Sequence, residues 1–538
     1  MVNPDPMKDL NPSIFKKIGV ASFIMMTSVF ASRVIGLVRE MAIAWTGGAG
    51  AEVDAYQIAF ALPEILNHVV ASGFLSITFI PVFARYLSRG REDKGFEVFS
   101  LIFNGFGLIL LTGIAAGIIW APFFVRILAP GITDPATFDL AVRMTRIILP
   151  AQFFFFAGGL FMAVQFTKEK FLVPALAPLI YNLGIICGGV FLYPYLGMEG
   201  FAWGVLAGAF TGNFLLQWTG AVRQGLKFRF VIDFFHPDFI HYVRITLPFM
   251  IGLTVTFSTE ILMKFFGSFL APGHIAAMNY ALRIMFILVG FFGQAVGMAS
   301  YPFMAGIAAT GDMERLNHII NQTLKFIFLV IPFSILFMVL RHEIVMILFQ
   351  RGAFDTDATR LTAGILPFFM AGAFAFSAQT FVARGFYALE NTLFPTLVST
   401  VCMLAGLPVI YGCMMVFDVT GVALGLSGTV IVSAAALFES WSRKTRNSGK
   451  TRVYLFLARL TLAGQILGGI LWGIHRLVTG LIPPVTTASA LGVCAATGLA
   501  FLILLPAAGR LLNLPEILIF YEKTARRLMP WRQTRPRT

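Results

Sequence analysis

From about Ile18 to about residue 510 this 538-residue chain is a succession of apolar runs, each near the length a bilayer demands. A spanning helix places about 20 mostly apolar residues in the hydrocarbon core. Inside lipid every backbone N–H and C=O needs a partner within the protein, and a helix supplies it locally. The runs therefore restrict the chain to a bundle of membrane-crossing helices. Candidate spans are 18–46, 53–83, 97–122, 138–166, 171–193, 199–221, 243–269, 274–305, 322–341, 360–384, 393–416, 419–440, 454–475 and 485–510. That makes about fourteen, and an even number places both termini on one side.

The composition agrees with a polytopic membrane protein. Hydrophobic residues make up 58% and charged residues 12%, with a mean hydropathy of +0.82. Soluble domains carry about 25% charged residues. The net charge of +14 does not indicate nucleic acid, because most basic residues sit in short connections and at the C-terminus. Cys187, Cys402, Cys413 and Cys494 all fall in apolar runs without metal-ligand spacing, and read as packing residues. Met1–Lys17 is polar, and the first apolar run is too long for a signal peptide and holds two arginines, so it reads as a retained first helix.

Charge in the connections sets the orientation. Lys and Arg collect at the N-terminus and in alternate connections: Arg85, Arg89, Arg91 and Lys94, then Lys168 and Lys170, then Arg223, Lys227 and Arg229. Later come Arg315 and Lys325, Arg384, and Arg443 to Arg452, while opposite connections such as 47–52, 194–198 and 270–273 carry no Lys or Arg. Arg126 and Arg476 are isolated exceptions, and the larger 341–360 connection holds Arg341, Arg351 and Arg360. By the positive-inside rule both termini are expected in the cytoplasm.

The chain also repeats itself. Ile132-Thr133-Asp134 precedes Leu149-Pro150, as Asp355-Thr356-Asp357 precedes Leu366-Pro367. Phe171-Leu172-Val173-Pro174 matches Thr392-Leu393-Phe394-Pro395, and the Gly200–Gly204 stretch matches Gly421–Gly425. Ala55-Tyr56 matches Asn279-Tyr280, and Pro81 matches Pro302. Six spans separate the equivalents, so the repeat is parallel, about an axis along the membrane normal. Repeat halves of this kind occur in alternating-access transporters, with substrate held between them. The expected fold class is all-α polytopic: two parallel six-helix repeats, 1–222 and 223–441, then two further helices and a basic tail, 442–538. The segment 514–529 reads as an interfacial amphipathic helix or, alternatively, as a basic stop signal.

Charges inside such runs are costly, about 2.5–3.5 kcal/mol each at the bilayer centre on insertion scales. The first span nevertheless holds Arg33, Arg39 and Glu40. Arg33 and Glu40, seven apart, lie nearly on one helical face. The second span holds Asp54, Glu64, Asn67 and His68, with Pro63 permitting a kink, and Glu64 and His68 are placed to hydrogen-bond at i,i+4. The seventh holds Glu260 and Lys264, an i,i+4 pair in the favoured order, and the eighth holds Arg283 with no acid within four residues. Each has a structural reading: snorkelling for Arg39 and Glu40, polar clamps for Glu64–His68 and Glu260–Lys264, an interhelical ion pair for Arg283. The functional reading is a cationic cavity, with Arg33, Arg39, Arg283 and Lys264 binding an anion and Glu40, Asp54, Glu64, Asn67, His68 and Glu260 gating it or lining it. Arginine suits a pyrophosphate, because its fork donates two hydrogen bonds and stays charged when dehydrated. There is no G-x-x-x-x-G-K-[ST] phosphate loop, no His-Glu-x-x-His and no cysteine cluster, so no enzyme, cofactor or metal is expected.

Ser32-Arg33-Val34-Ile35-Gly36-Leu37-Val38-Arg39-Glu40 resembles the S-R-x-x-G-x-x-R-[DE] signature of the MurJ/MviN lipid II flippases. The similarity continues through Asp54-Ala55-Tyr56, Leu62-Pro63, Gly73, Phe79-Ile80-Pro81, Leu348–Gly352 and Arg384–Leu389, followed by Thr392 and Pro395. The resemblance implies a fourteen-helix fold of the multidrug/oligosaccharidyl-lipid/polysaccharide exporter superfamily. It implies export of lipid II, undecaprenyl-pyrophosphoryl disaccharide-pentapeptide, across the bacterial cytoplasmic membrane, with cavity arginines at Arg33, Arg39 and Arg283 and an acid at Asp54. One departure is Asn67-His68, where relatives often carry an arginine pair; Lys264 is a candidate replacement. The expected partners are lipid II and membrane lipids, with envelope-assembly proteins as further candidates and no nucleic acid. The drive would be membrane potential or an ion gradient, the ion being unspecified. Rival readings are a flippase for another undecaprenyl-pyrophosphate-linked glycan, a drug/cation antiporter, which should have an acidic cavity instead, and a non-transporting scaffold.

Overall fold

Wherever the chain is described the apolar runs are helical, and no strand occurs among the described residues. The computed structural model describes residues 12–67, 74–244 and 258–528. Contacts group the chain into two units, Met1–Phe257 and Ser258–Thr538. Among the described residues nine helices are long and apolar enough to cross a membrane. The chain is an all-α, multi-pass membrane protein.

Several expected spans take a less regular form. The first is the single helix Pro12–Gly47, whereas the second is interrupted at Phe60, between Ala51–Ala59 and Ala61–Leu66, with Phe74–Ser88 as the next described helix. The fourth breaks where Leu149 and Pro150 separate Pro135–Ile148 from Ala151–Thr167, since proline has no N–H to continue the helical ladder. The sixth widens into a π-helical stretch, Ala209–Leu215, between Glu199–Gly208 and Leu216–Arg223. Residues 393–444 form two helices that meet at Asp418, where φ is 54° and ψ is −135°.

The first unit is cored by aromatic rings. Phe79, Phe83, Phe96 and Phe99 are buried, with ring centroids 5.6 Å apart for Phe79–Phe83, 5.3 Å for Phe83–Phe96 and 5.9 Å for Phe99–Phe161. Between helices in lipid such packing replaces the hydrophobic effect as the source of cohesion. Glycine does the same by close approach. A Cβ on Gly184 would lie 2.4 Å from the Gly208 Cα, and one on Gly188 would lie 2.4 Å from the Gly204 Cα. The helices 172–196 and 199–208 therefore touch backbone to backbone.

The repeat is written in the backbone. Left-handed φ values occur in pairs 221 residues apart: Gly90 and Gly311 (67° and 75°), Glu169 and Glu390 (both 57°), Gly197 and Asp418 (56° and 54°), Gly225 and Arg446 (87° and 52°). Asp134 and Asp355, at the same spacing, each cap a helix by accepting from the backbone N–H three residues on, at 2.8 Å in both. The Leu-Pro match of the sequence falls off this register. Pro150 marks a break, whereas Pro367 lies inside the continuous helix Thr356–Ala388.

Beyond the repeat, the helices Lys450–Leu481 and Thr487–Leu511 pack on each other and on Val330–Val339. His475 also meets the buried Glu343 carboxylate at 2.9 Å. The last helix, Pro515–Leu528, is docked by Lys325, which donates to the buried Glu516 at 3.1 Å.

Candidate functional site

The charged residues of the first span sit on one unbroken helix, so their spacing is that of the sequence. Arg33 is exposed and Glu40 is buried, with 3% of its surface accessible. Arg39 divides its fork. One arm meets the Glu40 carboxylate at 2.6 Å, and the other donates to the Asn182 side-chain oxygen at 3.1 Å. Asn182 is fixed in turn, donating to the Pro178 carbonyl at 2.8 Å. The helices Pro12–Gly47 and Leu172–Leu196 run against each other, and Ser28 donates across the same seam to the Ala175 carbonyl.

Asn182 was not singled out from sequence. The signal was present, since it is the only side-chain amide in the 25 residues of Leu172–Leu196. A lone amide in a lipid-facing run is costly unless it has an interhelical partner.

Asp54 lies in Ala51–Ala59 and is buried, as are its neighbours Tyr56 and Gln57. Tyr56 packs edge-on against Phe60 and Phe201, at 5.1 and 6.0 Å between centroids. Glu64, in Ala61–Leu66, and Asn67, at its end, are half-buried. His68 lies outside the described residues, and with it the pairing expected for Glu64.

In the second unit Glu260 and Lys264 lie on Ser258–Gly267, and Arg283 on His274–Val289. Arg283 finds its acid on the other helix. Its two terminal nitrogens donate to the two Glu260 oxygens at 3.3 and 3.2 Å, a two-pronged contact across 23 residues of sequence. Lys264 is 2% exposed. A buried ammonium is tolerated only where negative charge or oxygen acceptors surround it.

Arg384 entered the sequence reading only as a loop charge and as part of a motif. Its guanidinium donates to the Gln294 carbonyl at 3.3 Å, within the π-helical stretch Gly290–Ala295. A Cβ on Gly297 would lie 2.2 Å from that guanidinium, so the glycine makes room for it.

Each unit thus carries an arginine already engaged by a carboxylate: Arg39 with Glu40, and Arg283 with Glu260. Such a pair is stable in an apolar bundle and can still exchange its partner for an incoming phosphate. Among the described residues no group of three His, Cys, Asp or Glu side chains is arranged to hold a metal ion.

The profile of the family described as lipid II flippase MurJ matches residues 43–491. The match begins just past Glu40, so the Ser32–Glu40 motif is an addition to it. A probable lipid II flippase MurJ of Vibrio cholerae is 25% identical over 513 residues, covering 92% of this chain and 97% of that one. A lipid II flippase MurJ of Burkholderia cenocepacia is 25% identical over 452 residues, covering 82% and 87%. Among solved structures, a lipid II flippase MurJ in an inward closed conformation superposes with a TM-score of 0.74 at 23% identity, covering 91% of this chain and 100% of that one. An inward-facing multidrug transporter of the MATE family superposes at 0.63 with 15% identity, covering 78% and 96%. The two superpositions establish a shared fold, and with the profile match across most of its length the chain belongs to the lipid II flippase MurJ family.

Proposed function

We propose that this protein is a lipid II flippase that works by alternating access. It moves the lipid-linked peptidoglycan precursor from the inner to the outer leaflet of the bacterial cytoplasmic membrane. The observation that carries this reading is the family match over residues 43–491. The chain is a transporter and not an enzyme, and its role lies in peptidoglycan biosynthesis and cell-wall growth. In this reading the layout is fourteen spans, six plus six plus two, with both termini in the cytoplasm.

Arg39 and Arg283 are the anion-binding arginines, with Arg33 and Lys264 adding positive charge. Glu40 and Glu260 hold the two arginines while no cargo is present, and release them to the pyrophosphate. Asp54, Glu64, Asn67 and His68 form the polar lining that follows the change of state. The exchange keeps each guanidinium paired throughout, which avoids stranding a charge in lipid. No nucleotide enters this scheme. One charge moved through 100 mV of membrane potential is worth about 2.3 kcal/mol, enough to bias the cycle.

The test is transfer of fluorescent lipid II across the bilayer of proteoliposomes containing the purified chain. Transfer is expected with lipid II and absent with empty vesicles. Movement of another undecaprenyl-pyrophosphate-linked glycan in place of lipid II would overturn the cargo assignment.

A further inference from the structure

At one end of the first unit three helix ends and one helix start surround a recess of about 700 Å³. Its lining includes five basic residues, Arg91, Lys94, Lys168, Arg223 and Lys227, against two acids, Glu92 and Asp93. Both acids are already engaged: Lys168 bonds Glu92, and Lys227 bonds Asp93 at 2.6 Å. Among the described residues Arg91, Lys94 and Arg223 have no ion-pair partner. Lys168 is held in place, donating also to the Gln224 carbonyl and lying 5.5 Å above the Phe96 ring. Gly90 and Gly225, in left-handed turns, shape the rim. The negative ends of the helices closing at Ser88, Thr167 and Arg223 offset part of the positive charge. They leave the three unpaired cations in excess.

The bland account is that basic residues simply gather where helices leave the membrane. The repeat provides an internal control against it. At the same junction of the second unit, 221 residues on, Phe96 is replaced by Asn317 and Gln224 by Thr445. Three of the five cations are lost, Arg91 to Asp312, Lys168 to Leu389 and Lys227 to Ser448, while Lys94 and Arg223 have the basic counterparts Arg315 and Lys444. Asn317 and Thr445 are joined there by neutral groups. Trp441 donates to Asn317 at 2.9 Å, Asn317 donates to the Thr445 carbonyl at 3.1 Å, and Asn321 and Asn447 exchange hydrogen bonds at 2.8 and 2.9 Å. The counterpart of the buried Trp441 in the first unit is Gly220. The fold therefore closes this junction with amides in one half, where two of the five basic positions stay basic, and keeps all five cations around it in the other.

We propose that the recess lined by Arg91, Lys94, Lys168, Arg223 and Lys227 binds the phosphodiester headgroup of an anionic phospholipid. The recess lies at the ends of apolar helices, the level at which lipid phosphates sit, and on the side carrying the basic connections. Basic pockets between membrane helices at this level are suited to anionic headgroups. The site is separate from the arginines assigned to the cargo, and the inference does not depend on which glycan the protein carries.

The full chain, purified in neutral detergent, is titrated with short-chain phosphatidylglycerol or phosphatidylcholine while thermal unfolding is followed. Phosphatidylglycerol should raise the midpoint saturably and phosphatidylcholine should not. The variant Arg91→Gln with Arg223→Gln should weaken the response at least about tenfold, whereas Lys444→Gln with Arg446→Gln, which removes as much charge from the equivalent junction, should stay within about twofold. If the first double variant is not monodisperse by gel filtration, the single variants replace it, each weakening the response about threefold. Equal responses to the two lipids, or equal loss in both double variants, would overturn the proposal. So would protection by millimolar inorganic phosphate matching that of phosphatidylglycerol, which would make the recess an open anion site.

Discussion

The helix pair 172–196 and 199–223 in the first unit and the pair 393–417 and 419–444 in the second share one turn and differ in how their helices touch. The turn residue has φ 56° and ψ −141° at Gly197, and φ 54° and ψ −135° at Asp418. In the first pair glycine faces glycine, at Gly184 with Gly208 and Gly188 with Gly204. In the second, glycines meet side-chain-bearing residues: a Cβ on Gly425 would lie 2.7 Å from the Ile410 Cα, and one on Gly406 would lie 2.4 Å from the Thr429 hydroxyl. The polar chemistry differs with the packing. In the first unit the charged cluster reaches into the pair, through Arg39 and Asn182. In the second Arg283 is held by Glu260 from the helix Ser258–Gly267 instead. The repeat thus conserves where the chain must turn and leaves the helix faces free to diverge.

The sharpest way to break this comparison is to load the close contact. Gly188→Val places a side chain where a Cβ alone would be 2.4 Å from backbone. The helices must separate along the pair, and loss of monodisperse, folded protein after detergent extraction is expected. The equivalent position of the second unit already carries a side chain, Val409, which is 57% exposed. Val409→Gly should cost only about 0.5–1 kcal/mol, the usual helix penalty for glycine. If the two variants unfold at the same temperature, the pairs do not differ in the way described.

A second break targets the ion pairs. Arg283→Ala removes a charge-assisted, two-pronged donor to Glu260, so transport of lipid II in proteoliposomes should fall roughly 10- to 100-fold. The exchange of Glu260→Arg with Arg283→Glu keeps a complementary pair and should restore thermal stability. It should not restore transport if the guanidinium must meet the cargo from its own helix. Recovery of both would reduce the pair to a structural clamp.

Strain at the shared turn offers a finer test. Asp418 holds a conformation that suits glycine, and such a position costs a residue with a side chain about 1–3 kcal/mol. Asp418→Gly should therefore raise the unfolding temperature of the protein, and Gly197→Ala should lower it. Opposite signs at two positions 221 residues apart would show that one turn serves both halves. Equal signs would separate them.

These comparisons also show what could be read from the chain. Apolar helices of bilayer length were legible because lipid enforces them residue by residue. Gly200 and Gly204, matched to Gly421 and Gly425, were legible because close helix approach admits few substitutes. The Leu-Pro match was misleading. Pro150 ends a helix and Pro367 does not, because a proline's effect depends on whether neighbours re-satisfy the freed carbonyl. The local i,i+4 rule joins Glu260 to Lys264 and says nothing of a partner on another helix, so it could not show that Arg283 directs both terminal nitrogens at Glu260. Arg384 looked like a loop charge because its acceptor, the Gln294 carbonyl, is 90 residues away.

The smallest effect expected is at the paired helix caps, and it tests the register more than the stability. Asp134 accepts from the Thr137 hydroxyl and backbone N–H, and the hydroxyl bond above all holds its carboxyl below the usual aspartate range. A carboxyl whose folded pKa is depressed contributes stability above its unfolded pKa. That contribution fades as the pH falls through the ordinary aspartate range and is gone below the folded value. Asp355 makes the same backbone contact to Ala358, where no hydroxyl is available. Asp134→Ala and Asp355→Ala should each lower the unfolding temperature at pH 7 by about one or two degrees. At a pH low enough to protonate the aspartates the penalty at position 134 should vanish. A deficit for Asp134→Ala that persisted unchanged into acid would mean the position matters through packing and not through its cap.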